Sequence, residues 1–133
     1  MSQENLDTLL SGYEWLRVNG RFPAHLATPD FVWDLSNFEG ALGQLVYGGA
    51  QGAQDFLTEW TSAWDDWEMK IEATHDVDDK VVAIVHQQGR SKITGIPVES
   101  MMAHVWTFRD GKEARVDVYS DPSEALKAVG LSE

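Results

Sequence analysis

The two residues best suited to acid–base chemistry in this sequence are His104 and Asp117. A carboxylate beside an imidazole raises the pKa of the ring and fixes its tautomer, as a general acid–base pair requires. The dipeptide Asp110-Gly111 lies between them, flanked by two runs of alternating polar and apolar residues. Such a dipeptide is the strongest short-range signal for a two-residue β-hairpin turn.

The turn fixes the register of the predicted hairpin. If Arg109 pairs with Lys112, the ladder places His104 directly opposite Asp117. We expect this face to line a cavity, because its other residues include the bulky side chains of Met102, Trp106, Phe108 and Tyr119. The opposite face is small and apolar, which suits packing against a second sheet in a homodimer. It comprises Ala103, Val105, Thr107, Ala114, Val116 and Val118.

Three interpretations of the His–Asp pair remain open from the residues alone. It is catalytic, it is a buried structural pair, or it lies on a solvated outer face.

Further candidate site residues come from the first half of the chain. Tyr13 lies on the apolar side of the first predicted helix, either as a core residue or as a hydrogen-bond donor in a pocket. Strand alternation puts Trp33 and Asp34 on opposite faces, so only one of them should face a cavity.

Composition narrows the classes of function. The net charge of −12 argues against binding to nucleic acid or to an anionic membrane surface. The sequence has no cysteine, which excludes disulfides and thiolate nucleophiles. Its histidines lack metal-ligand spacing, and the acidic turn at 76–79 lacks the pattern of a calcium loop. We therefore expect no metal and no cofactor. The sequence shows neither the apolar stretch of a signal peptide nor the 18-residue apolar run of a transmembrane helix. We therefore expect a cytoplasmic protein.

Helical periodicity predicts a first helix over 5–19 that stops at Gly20, and a short second helix over 24–27. The next helix spans 52–67, with Phe56 on its apolar stripe. The glycine-rich segment 36–50 is expected to be a long loop or a broken helix that closes the cavity as a lid. A last helix follows Asp121, which is placed to act as its N-cap, and Gly130 ends it.

Period-two patterns predict the strands, with turns at 28–30, 76–79 and 89–91. The predicted strands span 31–35, 68–75, 80–88, 93–108 and 112–120. Helices followed by strands indicate an α+β fold of a single domain over 1–133. We expect a curved antiparallel sheet wrapped around the N-terminal helices, forming a cone whose open mouth suits a small-molecule site.

The stretch Val105-Trp106-Thr107-Phe108-Arg109-Asp110-Gly111-Lys112, with Tyr119-Ser120-Asp121 and the helix after it, resembles the SnoaL-like proteins. These belong to the nuclear transport factor 2-like (cystatin-like) superfamily, which includes the ketosteroid isomerases. The resemblance covers nearly the whole chain and implies the cone-shaped fold. It is specific for fold and not for function, since this fold hosts isomerases, polyketide cyclases, dehydratases, epoxide hydrolases and non-enzymatic binders.

The resemblance also implies roles for single residues. Relative to the ketosteroid isomerases, Tyr13 stands at the oxyanion-hole tyrosine and Asp34 at the general base. His104 falls where those enzymes keep a protonated aspartate, so the steroid reaction itself is not implied. SnoaL-like cyclases use an aspartate with a nearby histidine on the late strands, for which His104 and Asp117 are the candidates.

Two functions follow as expectations. The first is a cofactor-free enzyme that moves a proton beside a carbonyl group. In it Asp34 or Asp117 is the base, and Tyr13 with His104 stabilises the enolate oxygen. The second is a module that binds a small apolar ligand without turnover. In both, the residues expected to contact the ligand are Trp33, Phe56, Trp106 and Tyr119.

Overall fold

The computed structural model describes residues 2–38 and 44–131. Its elements, in chain order, are α1 (Ser2–Asn19), a 3₁₀ turn (Ala24–Leu26), β1 (Ala27–Asn37), β2 (Val46–Gly48), α2 (Gly49–Ser62), β3 (Trp64–Val77), β4 (Lys80–Ser91), β5 (Pro97–Arg109), β6 (Lys112–Tyr119) and α3 (Pro122–Ala128). The expected α+β order is confirmed. The predicted lid lies partly outside the described residues, at 39–43, and its C-terminal part forms β2 and the start of α2.

Within the described residues, the strands form one curved sheet in the order β2-β1-β6-β5-β4-β3. All neighbours are antiparallel except β1 and β6, which are parallel. Residues of α1 and α2, including Leu9 and Leu57, pack on the inner face with side chains such as Val85 and Val116. Helix α3 covers part of the outer face through Ala125. No helix in the described ranges is long and apolar enough to cross a membrane.

The predicted hairpin forms, but its register differs by one residue. Asp110 and Gly111 have positive φ angles of 53° and 78°, as a type I′ turn requires. Arg109 pairs with Lys112 as expected. Ala114 is then an extra residue in β6, a β-bulge that leaves it without an opposite residue on β5.

This bulge makes the predicted pairing of His104 with Asp117 wrong. Side chains alternate along a strand, so one extra residue moves everything after it to the opposite face. His104 pairs with Val118, and Asp117 pairs with Val105. His104 and Asp117 therefore lie on opposite faces of the sheet.

The bulge also changes the predicted small apolar face. Val116 and Val118 turn inward and join the main core. Ala103 and Val105 stay on the outer face, where Ala125 of α3 packs against them. The homodimer stays a prediction, but the exposed apolar face that motivated it is covered within the chain.

Three predicted boundaries were also wrong. Residues 28–30 lie within β1, and residues 89–91 lie within β4. Helix α2 ends at Ser62, so Trp64 and Trp67 belong to β3. Their spacing from Trp60 continues the helical stripe, which is why periodicity alone extended the helix too far.

Candidate functional site

A cavity of about 330 Å³ lies between the two long helices and the inner face of the sheet. Most of its lining is apolar or aromatic, as is usual for small-molecule sites. The aromatic lining residues are Tyr13, Phe22, Trp33, Phe38, Tyr47, Phe56, Trp60, Trp67 and Trp106. Five of the residues predicted to form the site line this cavity, namely Tyr13, Trp33, Phe56, His104 and Trp106.

His104 belongs to a chain of three hydrogen-bonded side chains in the cavity wall. It points inward from β5, with a relative exposure of 6%. Its Nδ1 lies 2.7 Å from the hydroxyl oxygen of Tyr13 on α1. The same oxygen accepts a hydrogen bond from Nε1 of Trp106 at 2.8 Å. Burial lowers the pKa of His104 from 6.5 to about 4, so the ring is neutral at neutral pH.

The direction of these bonds assigns the tautomer of the histidine. Burial raises the pKa of Tyr13, so its hydroxyl keeps its proton. Since Trp106 can only donate, Tyr13 accepts from it and donates its own proton to Nδ1 of His104. The neutral ring then carries its proton on Nε2. That N–H has no protein partner among the described residues, so it is the donor that His104 offers to a ligand.

A second buried polar group in the cavity wall is Gln87 of β4, with a relative exposure of 8%. Its Oε1 accepts from Nε1 of Trp67 at 3.4 Å, and its Nε2 donates to Oγ of Ser100, also at 3.4 Å. Sequence reasoning missed Gln87 because it ends an apolar strand. Strand alternation could have identified Gln87, because it places the side chain on the same face of β4 as Val81 and Val85.

Asp34 and Asp117 do not line the cavity. The parallel register pairs them on the outer face, where Arg115 bridges them at 2.5 Å and 2.9 Å. Their expected place beside His104 is therefore wrong. For Asp117 the cause is the bulge, and for Asp34 it is strand alternation, which turns Trp33 inward.

Tyr119 is also absent from the cavity lining, against expectation. It pairs with Ala103 and packs on the outer cluster beside α3.

Among the described lining residues, Glu59 of α2 supplies a carboxylate. Its side chain is exposed and accepts a hydrogen bond from the Tyr47 hydroxyl at 3.3 Å. Across the described ranges, no group of three or more His, Asp or Glu side chains is placed to hold a metal ion.

A buried carboxyl group lies behind the cavity wall, at Glu113. Its relative exposure is 1%, and its Oε1 has no hydrogen-bond partner in the described part of the chain. Burial raises its pKa from 4.5 to about 8. The other oxygen lies against α1, since a Cβ atom added at Gly12 would be 3.0 Å from it.

Residues 20–116 match the model of the SnoaL-like domain family. TerC, co-crystallised with polyporic acid, has a similar structure, with a TM-score of 0.74 and 21% identity over 95% of this chain and 97% of that one. A protein from Jannaschia sp. CCS1 described as a SnoaL-like polyketide cyclase has a TM-score of 0.74 and 16% identity, over 99% and 95%. A protein from Catenulispora acidiphila DSM 44928 with a ketosteroid isomerase-like fold, in complex with trimethylamine, has a TM-score of 0.70 and 17% identity, over 98% and 95%. No curated protein matches the chain in sequence. At these identities the similar structures show the fold alone.

Proposed function

The chain belongs to the family of SnoaL-like domains, and from this premise and its cavity we infer that it binds a small, largely apolar molecule that carries an acceptor oxygen. The observation that carries the proposal is the position of His104 in a largely apolar wall, with Nδ1 bound to Tyr13 and Nε2 left as its donor. His104 lines the cavity, so a carbonyl oxygen of a bound ligand could accept a hydrogen bond from this N–H.

The chain of side chains behind this donor supports the assignment. Trp106 donates to Tyr13, and Tyr13 donates to His104, so each bond polarises the next in a water-poor setting. The ring is held in one tautomer and stays uncharged at neutral pH because burial lowers its pKa to about 4. A neutral donor of this kind suits a carbonyl group and gives no preference for an anion.

A matched pair of ligands tests this proposal. Methyl naphthyl ketone and ethylnaphthalene have similar size, and only the ketone carries an acceptor. We expect isothermal titration calorimetry to show that the ketone binds about tenfold more tightly, as one buried hydrogen bond allows. His104→Phe should abolish this preference, and His104→Gln, which keeps a donor, should retain part of it. Equal affinity for both ligands in the unmodified protein would contradict the proposal.

Asp117→Asn is the control variant, because Asp117 lies on the outer face and does not line the cavity. It should change neither affinity. If it weakens ketone binding as strongly as His104→Phe does, the effect is not local to the cavity and the assignment of His104 fails.

A second candidate function is proton transfer beside the ligand carbonyl. It is favoured by the same donor, since a fixed N–H can stabilise an enolate oxygen. The base would then be Glu59, the carboxylate that the cavity lining supplies. Exchange of the ketone's methyl protons in deuterated water, followed by NMR, should exceed the buffer rate and be lost in Glu59→Gln. Exchange at the buffer rate would leave binding as the function.

A further inference from the structure

We propose that the cavity selects an elongated molecule with a hydrogen-bonding group at each end, one bound by His104 and the other by Gln87. This inference rests on the proposed function, because it assumes that the cavity holds a ligand. The starting observation is that both side chains line the same cavity and both are more than nine-tenths buried.

The register of the sheet gives the separation of the two groups. Gln87 of β4 pairs with Ser100 of β5, and Met102 and His104 follow on the same face without a shift in register. Ser100 and His104 are four residues apart, which corresponds to about 14 Å along an extended strand at ~3.4 Å per residue. The two polar groups therefore lie at well-separated positions along the cavity.

The wall between them is apolar. Met102 lies midway along β5 and lines the cavity, as does Met69 of β3. Val85, the partner of Met102 on β4, is fully buried. A ligand that reaches from His104 to Gln87 must therefore have an apolar middle, and the aromatic residues of the lining favour a flat one.

Gln87 has capacity left for a ligand. A carboxamide offers two donor hydrogens and two acceptor lone pairs. Its two contacts, with Trp67 and Ser100, are both 3.4 Å long, well beyond the usual distance of about 2.9 Å. A buried amide with such weak bonds gains from a better partner. Because it both donates and accepts, it takes a carbonyl or a hydroxyl, whereas His104 takes an acceptor only.

A series of aromatic ketones measures the span. Diacetylbenzene, diacetylnaphthalene and diacetylbiphenyl place two carbonyl groups at increasing separations, and each has a monoacetyl counterpart. In calorimetry we expect one of these diketones to bind about tenfold more tightly than its monoketone, the gain expected of one added buried hydrogen bond. If no diketone gains over its monoketone, the inference is overturned.

Variants assign the gain to its residue. Gln87→Met and Gln87→Leu should remove the advantage of the best diketone over its monoketone, since only the His104 end then offers a hydrogen bond. If both variants weaken monoketones and diketones equally, Gln87 has only a structural role tying β3 to β5, and the inference is wrong. The comparison of diketones with monoketones in the unmodified protein still tests the inference if one variant fails to fold.

The outcomes separate this inference from the proposed function. If monoketones bind better than alkylarenes but diketones gain nothing, the proposed function stands and the two-ended ligand does not. If no compound of the series binds, both are overturned.

Discussion

Replacing Glu113 with glutamine tests the energetic consequence of a carboxyl group that is shut away from water. The side chain is 1% exposed, and burial raises its pKa from 4.5 to about 8. The folded protein therefore holds this carboxyl in its neutral form at neutral pH. Glutamine has nearly the same shape as a protonated glutamate and cannot ionise, so the substitution removes the titration and little else.

The direction of the pH dependence follows from the difference in the pKa of Glu113 between the folded and unfolded states. Between pH 4.5 and about 8 the unfolded chain has lost this proton and the folded chain keeps it, so the free energy of unfolding falls as pH rises. The stability that protonated Glu113 contributes is complete below pH 4.5 and is lost as pH rises through about 8. The full shift corresponds to on the order of 5 kcal/mol, since each pKa unit is about 1.4 kcal/mol.

His104 titrates with the opposite sign, which decides the pH range in which Glu113 dominates. Burial lowers the pKa of His104 from 6.5 to about 4, so its contribution is present above pH 6.5 and is lost as pH falls toward 4. The two slopes oppose each other between pH 4.5 and 6.5. From pH 6.5 to 8 Glu113 dominates, because most of the His104 contribution is then present, and the expected net loss is roughly 1–2 kcal/mol.

Urea unfolding followed by tryptophan fluorescence at pH 6.5, 7 and 8 measures this loss. We expect the unmodified protein to lose roughly 1–2 kcal/mol across the window and Glu113→Gln to stay within about 0.5 kcal/mol. Glu59→Gln, which changes an exposed carboxylate, is the control and should follow the unmodified protein. Parallel pH profiles for the unmodified protein and Glu113→Gln would refute the reasoning.

Two further substitutions test the hydrogen bonds on the two faces of the sheet. Tyr13→Phe removes the donor to His104 and leaves the indole N–H of Trp106 unpaired, so we expect unfolding in urea to show a loss of about 1–3 kcal/mol. An unchanged free energy of unfolding would argue against that network. Arg115→Met leaves two neighbouring carboxylates without their shared cation, and about 1–2 kcal/mol should be lost. Adding Asp117→Asn should recover part of it, and no recovery would argue against repulsion as the cause.

The parts of the fold that depend on local chemistry were predictable from the sequence. Asp110-Gly111 forms the hairpin turn because both residues adopt positive φ angles. Gly20 ends the first helix with a positive φ of 68°. Asp121 accepts from the backbone N–H of Ser123 as an N-cap, with Pro122 at the start of α3. Each of these signals acts within a few residues.

The site was only half predictable. Its geometry depends on which face of a strand each side chain occupies, and on packing by elements that are distant in the sequence. His104 and four of the nine aromatic lining residues, Tyr13, Trp33, Phe56 and Trp106, were identified by type and position. Glu113 was not, because nothing in its local sequence shows that α1 packs against it. Gln87 was missed although it alternates with the buried Val81 and Val85. Asp117 was misplaced because of one extra residue in β6, whereas alternation correctly separated Asp34 from Trp33 without showing which of them faces inward.

That extra residue, Ala114, determines the chemistry of the cavity. Without the bulge, Arg115 and Asp117 would follow Glu113 onto the inner face, and Asp117 would stand opposite His104. A carboxylate there would raise the pKa of the ring. With the bulge, the ion pairs with Arg115 lie outside, and valines take their places in the wall. His104 then has a neutral partner in Tyr13 and a burial-lowered pKa, so the bulge leaves a neutral histidine in the cavity wall instead of a histidine–aspartate pair.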